Sequence, residues 1–313
     1  MIRYKHKIRV GITIGDPSGI GPEITAKALR KLGNFADFTV IGDSGVYRRA
    51  AHEKFIDLKN LKTKSFCFGK IKAEYGRASM EFLDKAMELI QDKAIDCLVT
   101  APISKEAINL AGFHYSGHTE YLSQKAKARF TVMMLLNKQL RFSLVTRHIP
   151  LQRVSGAIDG KGLKEVITLT DFALKNLFGI SQPRIVVCGL NPHASDHGII
   201  GKEEMQLISP IIGKLKRQIK RLIGPISADV AIFKAKQGEF DSIIAMYHDQ
   251  ALIALKLSDA ESGVNLTLGL PFIRTSPLHG TAFDIAGKNL TNPQSMLAAI
   301  KLSVECALNQ KKV

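Results

Sequence analysis

The stretch IRVGITIGDPSGIGPEITAKALRKLG, residues 8–33, decides the class of fold. Its apolar run 8–15 reads as a strand, DPSG as a loop, the proline of GPE as the opening of a helix and Gly33 as its stop. A strand that passes through a short loop into a helix is the repeating unit of α/β folds.

Outward from this unit the alternation continues. FTVIGD (38–43) predicts a second strand, SMEFLDKAMELIQD (79–92) a helix with Phe82, Leu83, Ala86, Met87 and Ile90 on its apolar face, and CLVTAP (97–102) a strand ending in a proline turn. FTVMMLLN (130–137) and RFSLVTRH (141–148) predict adjacent strands joined by a short polar turn. LKEVITLTDFALKNLF (163–178) reads as a helix and PRIVVCGLNPH (183–193) as a strand. MQLISPIIGKLKRQIKRLI (205–223) reads as helical, with a break near Pro210. DSIIAMYH (241–248) predicts a strand, and NPQSMLAAIKLSVECALN (292–309) a closing helix capped by Asn292. The fold class is therefore α/β, with a largely parallel sheet covered on both faces and any second domain interleaved with the first.

Composition narrows the function classes. The 313 residues are 45% hydrophobic, enough for a substantial core, and no apolar run approaches the ~20 residues of a membrane span. MIRYKHKIRVGITIGD runs straight into a strand, which argues against a signal peptide. Cys67, Cys97, Cys188 and Cys306 form no CxxC pair and read as reduced thiols of a cytoplasmic protein. The net charge of +16 raises nucleic-acid binding as one reading. The densest basic run, Lys214–Arg221, carries Leu215, Ile219 and Leu222 at helical spacing, so its charges read as the wet face of a helix. No aromatic platform accompanies it, and a basic field that gathers an acidic, phosphorylated substrate accounts for the same charge.

The segment Met246–Lys288 concentrates chemistry that a packing core has no use for: MYHDQALIALK, then VNLTLGLPFIRTSPLHGTAFDIAGK. His148, His193 and His248 each follow a predicted strand, and in a parallel sheet such ends share the edge where ligands bind. Three imidazoles there suit a divalent metal; hydrogen-bonded loop histidines are the alternative. His118 in SGHTEY stands beside Thr119, either as part of an anion site or at a helix N-terminus that Thr119 caps. His6, His52 and His114 read as surface or packing residues. GDPSGIGPE is not the GxGxxG of a dinucleotide fold, so Asp43, about 20 residues further on, reads as a turn aspartate.

GDPSGIGPE, TAPISKEAINLAGFHYSGHTEY, TRHIPL, GLNPHA, MYHDQ and VNLTLGLPFIRTSPLHGTAFDIAGK together resemble the 4-hydroxythreonine-4-phosphate dehydrogenase family of pyridoxal 5′-phosphate biosynthesis, across residues 11–288. HGTAFDIAGKNLTNP is also similar to the adenine-side cofactor loop of isopropylmalate and isocitrate dehydrogenases. The resemblance implies their two-domain fold, here 1–125 with 285–313 as the first domain and 126–284 as the second. It implies His148, His193 and His248 as ligands of one divalent metal (zinc, magnesium or cobalt), and His118, Thr119, Lys256, Asn265 and Arg274 as substrate contacts. It implies His279, Gly280, Asp284 and Lys288 as cofactor contacts, with NAD or NADP as cofactor, and a homodimer whose sites draw ligands from both subunits. No pair of arginines stands near HGTAFDIAGK in the sequence, which favours NAD. Two segments depart from the family pattern. Ser195-Asp196-His197-Gly198 replaces a GEGG-like loop and puts His197 four residues after His193, and PISKEA replaces a PVHK-type segment while Lys105 keeps its place.

The implied reaction is oxidation of the 3-hydroxyl of 4-phosphooxy-L-threonine, followed by loss of carbon dioxide to 3-amino-2-oxopropyl phosphate. It needs cations for the phosphate, an acidified hydroxyl and a proton acceptor, for which Asp229 in ISADVAIF is the candidate, an N-cap or orienting role being its alternative. A related dehydrogenase of another four-carbon phosphorylated acid is the nearest competing function. A non-catalytic basic nucleic-acid-binding protein is the competitor from another class.

Overall fold

A computed structural model describes residues 7–50 and 52–311. His6 lies outside the described residues. The described residues pack as two compact units, one running to residue 131 and resuming over 270–311, the other formed by 132–269. The crossings at 131/132 and 269/270 stand where the sequence reading set 125/126 and 284/285, so Arg274 and His279 belong to the first unit.

In chain order the first unit holds β1 (Arg9–Thr13), α1 (Gly21–Leu32), β2 (Asp37–Gly42), β3 (Lys54–Asp57), α2 (Ala73–Gln91), β4 (Cys97–Thr100), α3 (Lys105–Leu110) and α4 (His118–Lys125). The second holds β5 (Val132–Leu136), β6 (Arg141–Leu144), α5 (Val154–Ala157), α6 (Gly160–Asn176), β7 (Ile185–Cys188), α7 (Ser209–Leu215), β8 (Leu222–Ile226), α8 (Ala228–Lys236), β9 (Ser242–Ala245), α9 (His248–Asp259) and β10 (Val264–Leu268). The chain then returns to the first unit with β11 (Ile273–Pro277) and α10 (Gln294–Gln310).

The strands of the first unit run β3-β2-β1-β4-β11, every pair parallel. Those of the second run β10-β5-β6-β9-β7-β8, parallel from β6 onward and antiparallel at β10–β5 and β5–β6. Each residue of β4, β7 and β9 is buried, as strands covered on both faces require. Within the first unit α10 lies along β11 and β4, and within the second α6 and α9 pack on β5, β6 and β9. The fold is α/β and largely parallel, as the alternation of elements predicts.

Three local readings are corrected. The helix read as 79–92 begins at Ala73, because Gly76 lets it lie directly on the backbone of α3, where a Cβ would stand 2.0 Å from the Ala107 carbonyl oxygen. The helix read as 205–223 ends at Leu215, and Leu222–Ile226 is a strand. Leu215, Ile219 and Leu222 are all buried, so their spacing reported which residues face the core and not a continuous helix. The break at Pro210 takes the form of a π-turn over Glu204–Ile208, where a residue without an N–H cannot continue the regular ladder. Finally, β6 and β9 stop at Leu144 and Ala245, so His148 lies in the segment after its strand and His248 is the first residue of α9.

Candidate active site

In the second unit, pairing continues past the strand ends. Val145 and Thr146 donate their N–H groups to the carbonyls of Ala245 and Met246 at 2.9 and 3.1 Å, and the Thr146 hydroxyl donates to the Met246 carbonyl at 2.7 Å. This zipper brings the following residues together: the His148 and His248 rings lie 5.4 Å apart between centroids, tilted by 50°. The His248 Nδ1 sits 2.7 Å from an Asp249 carboxylate oxygen, which orients the ring. Gln250 ties the next strand to the same edge, accepting from Met246 N–H at 2.7 Å and donating to the Gly189 carbonyl at 3.0 Å.

His193 occupies a separate, strained loop. Residues 193–197 all adopt left-handed backbone conformations, with φ between 43° and 72°, although none is glycine. Such a conformation costs roughly 1–2 kcal/mol per residue and needs external support. The buried Glu204 carboxylate supplies it, accepting from the N–H groups of Leu190 and Asn191 at 2.8 Å each and from the Asn191 side chain at 2.9 Å. The departure Ser195-Asp196-His197 therefore falls where the backbone most favours glycine. His193 and His197 are both exposed. Among the described residues, no group of three or more His, Cys, Asp or Glu is arranged to hold a metal ion. One chain thus pairs two of the three predicted imidazoles and leaves the third apart.

Asp229 is in the first turn of α8, whose N-cap is Ser227. The Ser227 hydroxyl donates to the Asp229 carboxylate and holds it below the usual carboxylate range, helped by the Val230 N–H and by nearby His193. The N-cap alternative is therefore ruled out. Lys256 lies exposed on α9, about 12 Å along the helix axis from His248 at 1.5 Å per residue. Asn265 on β10 keeps an enclosed Oδ1 without a hydrogen-bond partner.

The first unit gathers buried polar groups near the end of β4. Arg274 on β11 is 1% exposed, and its Nε and Nη2 donate to the Thr100 hydroxyl at the end of β4, at 3.1 and 2.7 Å. Burial lowers the guanidinium to about 10 while Glu120 opposes the shift, so it stays cationic at neutral pH. His118 is the first residue of α4, whose N-cap is Gly117, so Thr119 is buried inside the first turn and is not the cap. The His118 Nε2 is enclosed and has no hydrogen-bond partner. Burial, and then the charge of Arg274, push this imidazole well below its ordinary range, so it is neutral.

Sequence reasoning missed Thr100 and Asp16. Asp16 is fully buried and its carboxyl is raised to about 6 by burial, against N–H donors from Ser18 and Ser104. Its Oδ2 and the hydroxyl of Thr13, which is in register with Thr100, are enclosed without partners. Partnerless buried polar atoms are uncommon in folded proteins; those of Thr13 and Asp16 belong to the end of β1 and the loop beyond it, and that of His118 to the first residue of α4. The signal available in sequence was position: Thr13 and Thr100 close predicted parallel strands.

The cofactor-like loop packs on GDPSGIGPE. Ile20 N–H donates to the Thr281 carbonyl at 3.0 Å, and a Cβ on Gly19 would stand 3.0 Å from the same oxygen. The glycines of this turn therefore serve close packing. The His279 Nε2 is enclosed without a partner, its ring lowered by burial, while Gly280, Asp284 and Lys288 are exposed. Asp43 accepts from the N–H groups of Gly45 and Leu61, as a turn residue does. All four cysteines are free, and among the described residues no helix is long and apolar enough to cross a membrane.

A family model described as pyridoxal phosphate biosynthetic protein PdxA matches residues 14–303. A 4-hydroxythreonine-4-phosphate dehydrogenase of Sulfurihydrogenibium sp. (strain YO3AOP1) is 40% identical over 95% of this chain and 98% of its own. A protein of Oceanobacillus iheyensis provisionally named D-threonate 4-phosphate dehydrogenase is 38% identical over 95% of this chain and 97% of its own. The crystal structure of 4-hydroxythreonine-4-phosphate dehydrogenase from Klebsiella pneumoniae superposes with a TM-score of 0.87 at 32% identity, covering 97% of this chain and 99% of that one. Isocitrate dehydrogenase from Methylococcus capsulatus shares the fold, with a TM-score of 0.52 at 14% identity over 97% of this chain and 87% of that one.

Proposed function

This chain belongs to the PdxA family of pyridoxal phosphate biosynthetic proteins, and from that premise we propose that it is an NAD(P)-dependent oxidoreductase acting on 4-phosphooxy-L-threonine. A nicotinamide nucleotide held by the His279–Lys288 loop would supply the two-electron oxidation at C3, where the hydroxyl gives up its proton. The 2-amino-3-oxo-4-phosphooxybutanoate so formed loses carbon dioxide, and protonation of the carbanion left behind gives 3-amino-2-oxopropyl phosphate.

The observation that carries this reading is the enclosed, partnerless Nε2 of neutral His118 beside the buried cation of Arg274. A neutral imidazole donates a hydrogen bond without adding charge, and a guanidinium supplies the charge-assisted bonds a phosphate oxygen prefers. His118, Thr119 and Arg274 hold the phosphate, Lys256 adds a cation, and the Asn265 carboxamide supplies neutral hydrogen bonds to the substrate. His279, Gly280, Asp284 and Lys288 form the loop for the adenosine end of the cofactor.

The donor set at the histidine edge fits a divalent metal such as zinc, magnesium or cobalt. Rings 5.4 Å apart suit neighbouring ligands of one ion at metal–nitrogen distances of about 2.0–2.1 Å. When bound, the ion supplies Lewis-acid charge that acidifies the substrate hydroxyl. His193 completes the set with His148 and His248, and the ligands come from two copies in a homodimer. Val230 and Phe233 of α8 and Ile253 and Leu257 of α9 are exposed apolar residues on the helices that carry Asp229 and His248, and they support pairing at this face. Asp229, at the start of α8 and close enough to His193 for its charge to be felt there, is the proton acceptor of this reading, with orientation of His193 as its alternative role. A cytoplasmic location belongs to this reading.

A second substrate reading, a threonate 4-phosphate, is supported by the name of the Oceanobacillus relative at nearly equal identity. Spectrophotometric assay of NAD(P)H formation on each phosphorylated acid, with and without added divalent metal, tests both. Turnover of 4-phosphooxy-L-threonine at least tenfold above D-threonate 4-phosphate is expected. The reverse order transfers the assignment to the threonate.

A further inference from the structure

Next to the cofactor loop the first unit opens a cavity of about 360 Å³, whose lining includes Lys27, Arg30, Arg48, Phe68, Gly287 and Asn289. One wall is fastened internally. The Lys27 ammonium donates to the Asn289 and Thr291 carbonyls at 2.9 and 3.0 Å and pairs with Glu23 at 2.8 Å. Glu23 also accepts from the Thr291 hydroxyl at 2.6 Å, so the charges of Lys27 and Glu23 satisfy each other while they pin the loop to α1.

Arg30 and Arg48 differ. Both side chains are exposed at the cavity, and among the described residues neither is paired with a carboxylate. Phe68 lies on the loop backbone, since a Cβ on Gly287 would stand 2.6 Å from its ring. The ring nevertheless stays 43% exposed. Asp284, the carboxylate of the loop, does not line the cavity. Two uncommitted guanidinium groups and an open aromatic ring around one cavity match a ligand that joins a phosphate to a planar base.

We propose that this cavity takes the 2′-phosphoadenosine end of NADP(H), with Arg30 and Arg48 on the 2′-phosphate and Phe68 against the adenine, so that the chain prefers NADP(H) to NAD(H). The inference rests on the dehydrogenase reading above and on residues 279–292 as its cofactor loop. In the linear sequence no arginine pair accompanies that loop. The fold supplies one from α1 and from the segment after β2.

The test is binding, independent of turnover: fluorescence titration of the full-length protein with NADPH and NADH, and displacement of NADPH by adenosine 2′,5′-bisphosphate or 5′-AMP. NADPH is expected to bind at least tenfold more tightly than NADH, and the bisphosphate to displace it at least tenfold better than 5′-AMP. Arg30→Gln and Arg48→Gln, both at exposed positions, should each weaken NADPH severalfold and leave NADH within twofold. Equal binding of the two dinucleotides, or a double variant that weakens neither, overturns the inference while the dehydrogenase reading stands. If neither dinucleotide binds, that reading falls with it.

Discussion

The Thr100 hydroxyl accepts two hydrogen bonds from one buried guanidinium, that of Arg274, at 3.1 and 2.7 Å. The two residues are 174 positions apart and meet because β4 and β11 are parallel neighbours. Thr100→Val keeps the shape and removes the acceptor of two hydrogen bonds from a buried charged donor. Such a change costs about 1–3 kcal/mol. A lower denaturation midpoint and a raised KM for the phosphorylated substrate are expected. Arg274→Lys, which cannot reproduce the fork, should raise that KM further and leave dinucleotide affinity unchanged. A weakened dinucleotide with unaltered KM would remove Arg274 from the phosphate role.

His118 predicts a pH dependence of stability. Burial and then Arg274 depress its pKa in the folded chain, whereas an unfolded histidine titrates near 6.5. As pH falls through about 6.5 the unfolded chain takes up a proton that the folded chain refuses, so stability falls, by at most about 1.4 kcal/mol per unit. Above that window both states are neutral and the contribution vanishes. His118→Gln should therefore narrow the stability difference between pH 7.5 and 5.5 by roughly 1 kcal/mol, read by urea denaturation. Asp16, raised to about 6, titrates with the opposite sign but in both proteins alike, so the comparison isolates His118. Parallel losses in wild type and variant would show that His118 is not the responsible group.

The paired rings of His148 and His248 predict shared ligation. His148→Ala and His248→Ala should each abolish metal retention in equilibrium dialysis against zinc, magnesium or cobalt. Because loss of a residue that merely orients a ligand costs 10–100-fold, loss of a ligand itself should lower kcat by on the order of 10²-fold or more. A chelator should reproduce the effect in wild type. Normal hydride transfer after chelation would dismiss the metal.

Asn137 predicts a structural cost at a distance from any chemistry. In the turn between β5 and β6 its side chain accepts from Gln139 and Leu140 N–H at 2.9 Å each. It also donates to the Leu255 carbonyl at 3.0 Å, the Ser258 hydroxyl at 2.8 Å and the Asp259 carbonyl at 3.2 Å, fastening the end of α9. Asn137→Ala should destabilise by about 2–3 kcal/mol in chemical denaturation. A loss below about 0.5 kcal/mol would mean that water replaces these bonds.

The sequence by itself determined the α/β class, because strand and helix periods are local properties of a few residues. It also placed His148, His193 and His248 after strands, and parallel pairing of β6, β9 and β7 carries such residues to one edge. It could not determine which of them meet. His148 and His248 pair because Val145 and Thr146 bond Ala245 and Met246, a contact across 100 residues. The helical spacing of Leu215, Ile219 and Leu222 was real as a record of burial and misleading as a record of conformation, since a turn can satisfy the same spacing. The neutrality of His118 and the approach of Arg30 and Arg48 to the loop of Gly287 and Asn289 were decided by tertiary structure alone. Burial and proximity between distant segments set charge state and site composition, and neither is a property of neighbouring residues in the chain.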